Sequence, residues 1–297
     1  MIRDLGRVLS RVALGAAVAA LGVVCAEAQQ QGETGAGWIT DRHQCRIWDP
    51  KPKANESVDW DGPCPNGVAS GKGVLQWYVG DKPSDRYEGT YANGWPEGHG
   101  IYIWANGNRY EGEFKDGLPD GRGSVAMASG SRYEGEWKDG RPNGRGVYTW
   151  ANGNRYEGDF KDSLPSGRGA VTTTDGFRYS GQWKDGRPNG RGVKQWANGD
   201  RFEGDLVDNQ RNGHGVFVWA NGDRYDGEWR GGRRNGKGLY LWRNGNRYEG
   251  SWKDDRADGQ GTYRTAKGEV FSGNWTAGCF REGARRAWVD TEKPACK

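Results

Sequence analysis

Residues 133–155 read YEGEWKDGRPNGRGVYTWANGNR, and this 23-residue unit recurs along most of the chain. Each copy opens on an aromatic residue, called position 0 below, and has glycine at position 2. The opening residues are Tyr87, Tyr110, Tyr133, Tyr156, Tyr179, Phe202, Tyr225, Tyr248 and Phe271. A fixed period of this size indicates a repeat array, in which each unit packs on its neighbours.

The alternation of side chains predicts two short strands in each repeat. In RYEGEWK, Tyr133, Gly135 and Trp137 share one face and charged residues occupy the other. In GVYTW, Tyr148 and Trp150 share a face in the same way. Asn-Gly pairs between repeats predict two-residue hairpin turns, and the segment DGRPNGRG supplies the reversal inside the repeat. The sequence therefore predicts an all-β antiparallel meander without an α-helix after the first 28 residues.

The glycine at position 2 would weaken its strand unless another group approached it closely. We expect aromatic rings from neighbouring strands to lie across these glycines, because burial of a ring offsets the cost. One repeat cannot bury enough surface to fold alone, so the repeats must stack on one another. With strands about 4.8 Å apart and two strands per repeat, eight repeats predict an elongated solenoid ribbon on the order of 75 Å long.

Composition fits such an array and limits the classes of function. The 297 residues include 16 Trp, 13 Tyr and 52 Gly, so aromatic rings carry the apolar surface. The net charge of +4 is spread along the repeats, whereas nucleic-acid binding requires a clustered basic surface. His43, His99 and His214 are interpreted as surface bases, because no set of metal ligands accompanies them. We expect no nucleic-acid partner, no metal and no cofactor.

The first 28 residues have the pattern of a secretory signal peptide. Arg3, Arg7 and Arg11 precede an apolar run over residues 12–24, and the motif AEA ends at Ala28. The run is too short to span a membrane. We therefore expect an exported chain, periplasmic or secreted, with no transmembrane segment in its mature form. Lipidation at Cys25 is the alternative.

Four cysteines remain after the signal peptide: Cys45, Cys64, Cys279 and Cys296. An even number in an exported chain favours two disulfides, and three pairings are possible. A disulfide needs Cα atoms within about 7 Å, and a long ribbon separates the two ends of the array. We therefore predict Cys45–Cys64 and Cys279–Cys296, one at each open edge of the sheet.

The chain is divided on these grounds into five segments. They are a signal peptide (1–28), a flexible leader with a disulfide-tied N-terminal cap (29–59), a degenerate first repeat (60–86), eight full repeats (87–270), and a half repeat with a disulfide-tied C-terminal cap (271–297). Some repeats depart from the pattern. Position 7 has Ser163, Asn209 or Asp255 instead of glycine, and Met127, Thr173, Lys194 and Thr265 interrupt the aromatic rows.

The segments YEGEWKDGRPNGRGVY and YEGSWKDDRADGQGTY resemble the MORN repeat, whose pattern is Tyr-x-Gly-x-Trp, then Gly, then Gly-x-Gly. The resemblance implies a ribbon of β-hairpins that serves as a scaffold, and a membrane-recognition role involving phospholipids has been proposed for the family. Many members carry the repeats beside a catalytic domain, such as a phosphoinositide kinase or a methyltransferase. No such domain is recognisable in this sequence.

One surface is a candidate for binding, namely the aromatic face formed by positions 15 and 17. Its predicted members are Tyr102, Trp104, Tyr148, Trp150, Trp196, Phe217, Trp219, Tyr240 and Trp242. The alternative interpretation is purely structural: these rings form a core that packs against the glycines of the repeats. If a groove along this face stays open, its rings could stack on sugars or take up an apolar peptide or lipid.

The pure repeat array favours a non-catalytic exported scaffold or binding module for a protein or a cell-envelope component. The alternative is glycan or phospholipid binding through the aromatic face. A hydrolytic enzyme is a third hypothesis, although repeated carboxylates on a charged face favour mutual pairing over acid-base catalysis. A homo-oligomer is compatible with each of these.

Overall fold

The computed structural model describes residues 37–49 and 52–289. The predicted signal peptide, Cys25 and Cys296 lie outside these residues. The chain divides into two compact units, residues 1–167 and 168–297, and each is described by itself. Within the described residues, no helix combines the length and apolar character that a membrane crossing requires.

Unit 1 contains a two-stranded sheet and a larger antiparallel sheet. The strands are β1 (Gly37–Thr40), β2 (Arg46–Asp49), β3 (Glu56–Trp60), β4 (Gly71–Val79), β5 (Lys82–Ala92), β6 (Trp95–Ile103), β7 (Arg109–Lys115), β8 (Leu118–Ala126), β9 (Arg132–Lys138), β10 (Arg141–Thr149) and β11 (Arg155–Lys161). A 3₁₀ turn, Pro65–Gly67, lies between β3 and β4. β1 pairs with β2, and from β3 onward each strand pairs with the next.

Unit 2 continues the same pattern of antiparallel hairpins, and β12 (Leu164–Thr172) contains the division between the units. The other strands are β13 (Arg178–Lys184), β14 (Arg187–Gln195), β15 (Arg201–Val207), β16 (Gln210–Val218), β17 (Arg224–Arg230), β18 (Arg233–Leu241), β19 (Arg247–Lys253), β20 (Arg256–Arg264), β21 (Val270–Thr276), β22 (Cys279–Glu282) and β23 (Arg285–Trp288). The described residues form no α-helix. The prediction of an all-β fold built from consecutive hairpins is confirmed, while the length of the ribbon stays a prediction.

The reversal inside each repeat is a two-residue turn at positions 6 and 7, which are Asp-Gly in three of the eight full repeats. Asp139 and Gly140 both have positive φ, 49° and 75°, as a type I′ turn requires. The following Pro-Asn-Gly segment, which the sequence analysis placed in the turn, lies inside β10. It forms a bulge there, because the register shifts between Pro142 and Gly146 and Gly144 has a φ of 93°.

The Asn-Gly pairs between repeats form a different turn from the predicted one. The Trp150 N–H donates to the Asn154 carbonyl, and the Gly153 N–H donates to the Trp150 carbonyl, both at 2.9 Å. Of the pair, only Gly153 has a positive φ, 85°. The loop is therefore three residues long and ends in a glycine bulge. The prediction of two-residue turns here was wrong, because the Asn side chain caps its own loop through the N–H of Asn154.

The aromatic ring at position 0 covers two glycines. A Cβ atom placed on Gly135 would lie 2.6 Å from the Tyr133 hydroxyl, and one placed on Gly146 would lie 2.5 Å from the Tyr133 ring. The hydroxyl donates to the Glu136 carbonyl at 2.8 Å. The ring thus covers the glycine two residues ahead on its own strand as well as the paired glycine on the next strand. The expectation that rings come from neighbouring strands was wrong in this respect.

Where position 4 is tryptophan, its indole links that repeat to the one before it. Trp137 Nε1 donates to the Gly123 carbonyl at 3.0 Å, and the Trp137 ring meets Tyr110 edge-on at 5.1 Å. The same indole bond recurs at Trp183, Trp229, Trp252 and Trp275. The donor and the acceptor belong to different repeats, so the bond cannot form within an isolated repeat and consecutive repeats stabilise one another.

An N-terminal cap, made of β1 and β2, packs against the first hairpins of unit 1. Cys45 and Cys64 form the predicted disulfide, with Cα atoms 5.8 Å apart. The buried Asp41 carboxylate accepts from the N–H of Cys45 at 2.8 Å and from the N–H of Trp60 at 3.3 Å. Cys279 begins β22, but the predicted Cys279–Cys296 bond stays a prediction because Cys296 lies outside the described residues.

Replacing Cys45 and Cys64 together by serine is expected to lower the free energy of unfolding by about 3 kcal/mol. The bridge closes a loop with a sequence separation of 19, and closing a loop of that size restricts the unfolded chain by roughly this amount. Urea unfolding of the oxidised protein and of the double variant measures the difference. Equal midpoints would show that Asp41 and the buried rings hold the cap without the disulfide.

Candidate binding face

Unit 2 contains a continuous row of aromatic rings at positions 15 and 17. The distances between ring centroids along the row are 5.5 Å from Trp196 to Phe217, 4.5 Å from Phe217 to Trp219, 5.2 Å from Trp219 to Tyr240 and 4.3 Å from Tyr240 to Trp242. Phe217 and Tyr240 are buried, whereas the three tryptophans are half-buried. The row therefore presents part of one indole per repeat at its surface.

The other predicted members of the face lie in unit 1, in two pairs. The ring centroids of Tyr102 and Trp104 are 4.8 Å apart, and both side chains are half-buried. The ring centroids of Tyr148 and Trp150 are 4.7 Å apart, and both side chains are buried. Met127 replaces a tryptophan, and its sulfur accepts from the Tyr148 hydroxyl at 3.9 Å. In unit 1, Tyr148 and Trp150 are therefore core residues, whereas Tyr102 and Trp104 present part of their rings at the surface.

Two arginines lie on the aromatic face of unit 2 and were missed by sequence reasoning. Arg211 stacks on Trp229 and Phe217, with its guanidinium carbon 4.2 and 5.0 Å from the ring centroids. Its Nη2 donates to the Gly232 carbonyl at 2.6 Å. Burial lowers the pKa of Arg211 to about 10. Stacking of this kind stabilises a guanidinium while leaving its edge available for hydrogen bonds.

Arg234 has the same arrangement one repeat later, but it also has an acidic partner. Its guanidinium carbon lies 4.4 Å from the Trp252 ring and 5.2 Å from the Tyr240 ring. Its Nε forms an ion pair with Asp255 Oδ1 at 3.2 Å, and its Nη2 donates to the Asp255 carbonyl at 2.6 Å. Asp255 is one of the residues that replace glycine at position 7, and this pairing gives it a structural role.

Lys194 occupies position 15, where Tyr148 and Phe217 are found in other repeats. It is 7% exposed, and its Nζ donates to the carbonyl and to Oδ1 of Asn209 at 2.6 and 2.7 Å. Burial, followed by repulsion from Arg211, lowers the pKa of Lys194 to about 7. Among the described residues, no carboxylate lies within ion-pair distance of Lys194.

The sequence did contain a signal for this cluster. Position 9 has proline in five repeats, at Pro96, Pro119, Pro142, Pro165 and Pro188, and then arginine in two, at Arg211 and Arg234. Lys194 and Asn209 were recognised only as breaks in the pattern. Positions 9 and 15 lie on the face that carries the rings, so substitutions at these positions place cations among aromatic side chains.

The opposite face of the sheet carries charges that neutralise one another. Arg201 pairs with Glu203 at 2.6 Å and Arg224 with Asp226 at 2.7 Å, each two residues apart on one strand. His214 is exposed and lies 3.2 Å from Asp226. No group of metal-ligating side chains occurs in the part of the chain that the structure describes. Exposed pairs of this kind contribute little to stability.

The fold defines an all-β repeat protein whose hairpins carry aromatic side chains on one face. The chain belongs to the MORN repeat family. Its family model matches residues 66–82, 87–109, 110–132, 133–155, 156–178, 179–201, 202–224, 225–247 and 248–270. MORN repeats are generally protein- or membrane-interaction modules, and the family is a non-catalytic repeat module.

Solved structures with some likeness include two protein domains. One is the TCP domain of SAS-4 (dCPAP) from Drosophila melanogaster, in complex with a proline-rich motif of Ana2 (dSTIL). It is 10% identical, over 60% of this chain and 85% of that chain, with a TM-score of 0.26. The other, the G-box domain of the microcephaly protein CPAP, is 14% identical over 74% of this chain and 100% of that chain, with a TM-score of 0.34. TM-scores this low establish no shared fold. No curated protein matches the sequence.

Proposed function

We propose that this protein is a non-catalytic scaffold that binds a protein partner along the aromatic face of unit 2. The observation that carries the proposal is the row of rings from Trp196 to Trp242, which presents a half-buried indole in each of three consecutive repeats. Half-buried tryptophans in a packed row supply large apolar contact area at a small cost in side-chain entropy.

The packing of this row favours a polypeptide over a sugar. A sugar ring stacks on an open, flat aromatic surface. Here Phe217 and Tyr240 are buried, and Trp219 and Tyr240 meet at 33° with centroids 5.2 Å apart. The ring surfaces are therefore partly covered by one another, whereas the gaps between indoles suit the side chains of an extended peptide. Glycan binding and phospholipid binding are the alternative outcomes of the crosslinking experiment.

The proposal includes export to the periplasm or the exterior. Its support is the signal-peptide pattern of the first 28 residues and the Cys45–Cys64 bridge, because stable disulfides form mainly in oxidising compartments. Expression with the leader, followed by amino-terminal sequencing of the extracytoplasmic protein, is expected to give a chain that begins at Gln29. An uncleaved chain retained in the cytoplasm would contradict this part of the proposal.

Site-specific photo-crosslinking tests the binding face. A benzophenone amino acid at Trp219 is expected to capture one polypeptide in cells that express the protein natively, because Trp219 lies in the middle of the row. The matched control carries the same probe at Arg201, on the opposite charged face, and should capture nothing in common with it.

A tryptophan variant makes the experiment decisive. Trp196→Ala combined with Trp242→Ala should reduce the crosslink at position 219 at least tenfold while the protein remains folded, since both indoles are only half-buried. Capture of a lipid or a glycan at residue 219, with no polypeptide, would show that the ligand is not a protein. An undiminished crosslink in the double variant would remove the aromatic row from binding altogether.

A further inference from the structure

A cluster of cations lies within the aromatic face of unit 2, and neither Lys194 nor Arg211 forms an ion pair in the described residues. The two side chains belong to β14 and β16, which pair with β15 on either side, and repulsion from Arg211 contributes to the lowered pKa of Lys194. Arg234 follows one repeat later with its own partner, Asp255. In unit 1, the residues at position 9 are prolines, so this charge is confined to one part of the face.

The donors of the cluster exceed the acceptors that surround it. A neutral Lys194 amine has two N–H groups, and these match the two oxygen atoms of Asn209. A protonated Lys194 has a third N–H, which has no acceptor among the described residues. Arg211 uses one N–H for the Gly232 carbonyl, and its other N–H groups have no acceptor in the described part of the chain. The Arg211 nitrogen atoms that lack an acceptor are not buried, so their N–H groups are open to a ligand.

The carboxylates near the cluster are already engaged. Asp255 pairs with Arg234 at 3.2 Å. Asp200, the other carboxylate that acts on Arg211, accepts from the N–H of Ala220 at 2.8 Å and from the Asn198 amide at 3.0 Å. Within the described residues, neither of these carboxylates forms an ion pair with Lys194 or Arg211. Asp255 and Asp200 act on Arg211 only at longer range, so Lys194 and Arg211 have no ion-pair partner of their own, and a bound anion could supply one.

We propose that Lys194 and Arg211 form an anion-binding subsite, which takes a carboxylate side chain from an acidic segment of the polypeptide that binds along the aromatic face. This inference rests on the proposed function and adds the chemistry of the partner. The stacked guanidinium of Arg211 offers the planar fork that binds a carboxylate through two hydrogen bonds, and Lys194 adds the third N–H.

Burial of the cations favours a polypeptide over a lipid surface as the source of the anion. Lys194 is 7% exposed, and Arg211 is covered on one side by Trp229 and Phe217. Headgroups of a flat bilayer would have to leave their membrane to reach a side chain as buried as Lys194. A glutamate or aspartate side chain on an extended peptide has the length to reach Lys194 and Arg211 from the aromatic face.

The repeats themselves supply conservative variants for the test. Lys194→Phe gives position 15 the residue found at Phe217, and Arg211→Pro gives position 9 the residue found at Pro188. Arg211 and Pro188 occupy equivalent places in the strand pairing, so the backbone at residue 211 accommodates proline. The charge-matched control is Arg191→Gln, at an exposed residue of the opposite face.

The probe is fluorescein-labelled oligoglutamate, with binding to the full chain followed by anisotropy at low ionic strength. We expect saturable binding, weakened at least tenfold by Lys194→Phe and by Arg211→Pro and unchanged by Arg191→Gln. Labelled oligolysine should not bind to the cluster. Equal affinity for the parent and both variants would overturn the proposal.

Two further arms separate the possible sources of the anion. Oligogalacturonate and phosphatidylglycerol vesicles present anions on a glycan and on a lipid surface, and variant-sensitive binding to either of these without oligoglutamate binding would overturn the polypeptide assignment. The photo-crosslink at Trp219 distinguishes this inference from the proposed function. If that crosslink persists undiminished in Lys194→Phe and Arg211→Pro, the scaffold function stands and the anion subsite falls.

Discussion

Alanine at Gly135 is expected to lower the free energy of unfolding by about 3 kcal/mol or more. The new Cβ atom would lie 2.5 Å from the Arg145 carbonyl oxygen and 2.5 Å from the Gly146 Cα atom. Both belong to the backbone of the paired strand and cannot rotate away, so the two strands must separate locally. Overpacking of this kind commonly costs about 1–3 kcal/mol and sometimes more. The shift in the urea midpoint measures it.

Gly146 offers a matched comparison, because its nearest neighbours are side-chain atoms. A Cβ atom there would meet the Tyr133 ring, at 2.5 Å from one ring carbon and 2.6 Å from another. Gly146→Ala should therefore destabilise the parent protein but cost almost nothing further in a Tyr133→Ala background. A double-mutant cycle measures this coupling. A coupling energy near zero would show that the Tyr133 ring is not what excludes a side chain at Gly146.

Lys194→Phe is expected to raise the stability of the protein near pH 7 and to remove one source of its pH dependence. Burial lowers the pKa of Lys194 from 10.5 to about 7. Between these values the unfolded chain holds a proton that the folded protein lacks, so the stability of the parent rises as the pH rises from 7 to 10.5. The corresponding penalty at or below pH 7 is on the order of 5 kcal/mol, at about 1.4 kcal/mol for each unit of pKa.

The pH effect is measured as the difference between the two proteins. Urea unfolding at several values between pH 6 and pH 9.5 should show the stability gap between Lys194→Phe and the parent narrowing as the pH rises. Measurement stops there because burial raises the pKa of tyrosines such as Tyr179, and their titration in the unfolded chain destabilises the fold at higher pH. Lys184→Met, at an exposed lysine, is the control and should leave the pH profile unchanged. A constant gap would mean that Lys194 keeps its proton in the folded protein.

The repeat period and the alternation of side chains were sufficient to predict the strands and the aromatic face. Both signals are local, since each strand and its partner lie within one repeat or the next. The two-residue turn was assigned to the Asn-Gly pairs and no turn type was given for the segment DGRPNGRG, because the sequence does not show which turn pair stands between two paired residues. The position of the Tyr133 ring over its own strand also depends on a side-chain rotamer, which alternation does not specify.

The cation cluster was harder to predict, because it arises from rare substitutions and not from the repeat itself. Lys194 is separated from Arg211 by most of one repeat in sequence, and only the pairing of β14 with β15 and of β15 with β16 brings these positions to one face. The change from proline to arginine at position 9 was visible in the sequence. Its significance depends on the stacking of Arg211 on Trp229, which no spacing rule contains.

The indole bonds between consecutive repeats have a direction, and this has a consequence for how the chain assembles. Each donor, such as Trp137, follows its acceptor, Gly123, in sequence. During synthesis from the amino terminus, the acceptor carbonyl is therefore already made when the next indole emerges. A hairpin with tryptophan at position 4 can therefore dock on a hairpin that is already complete, without waiting for a distant segment of the chain.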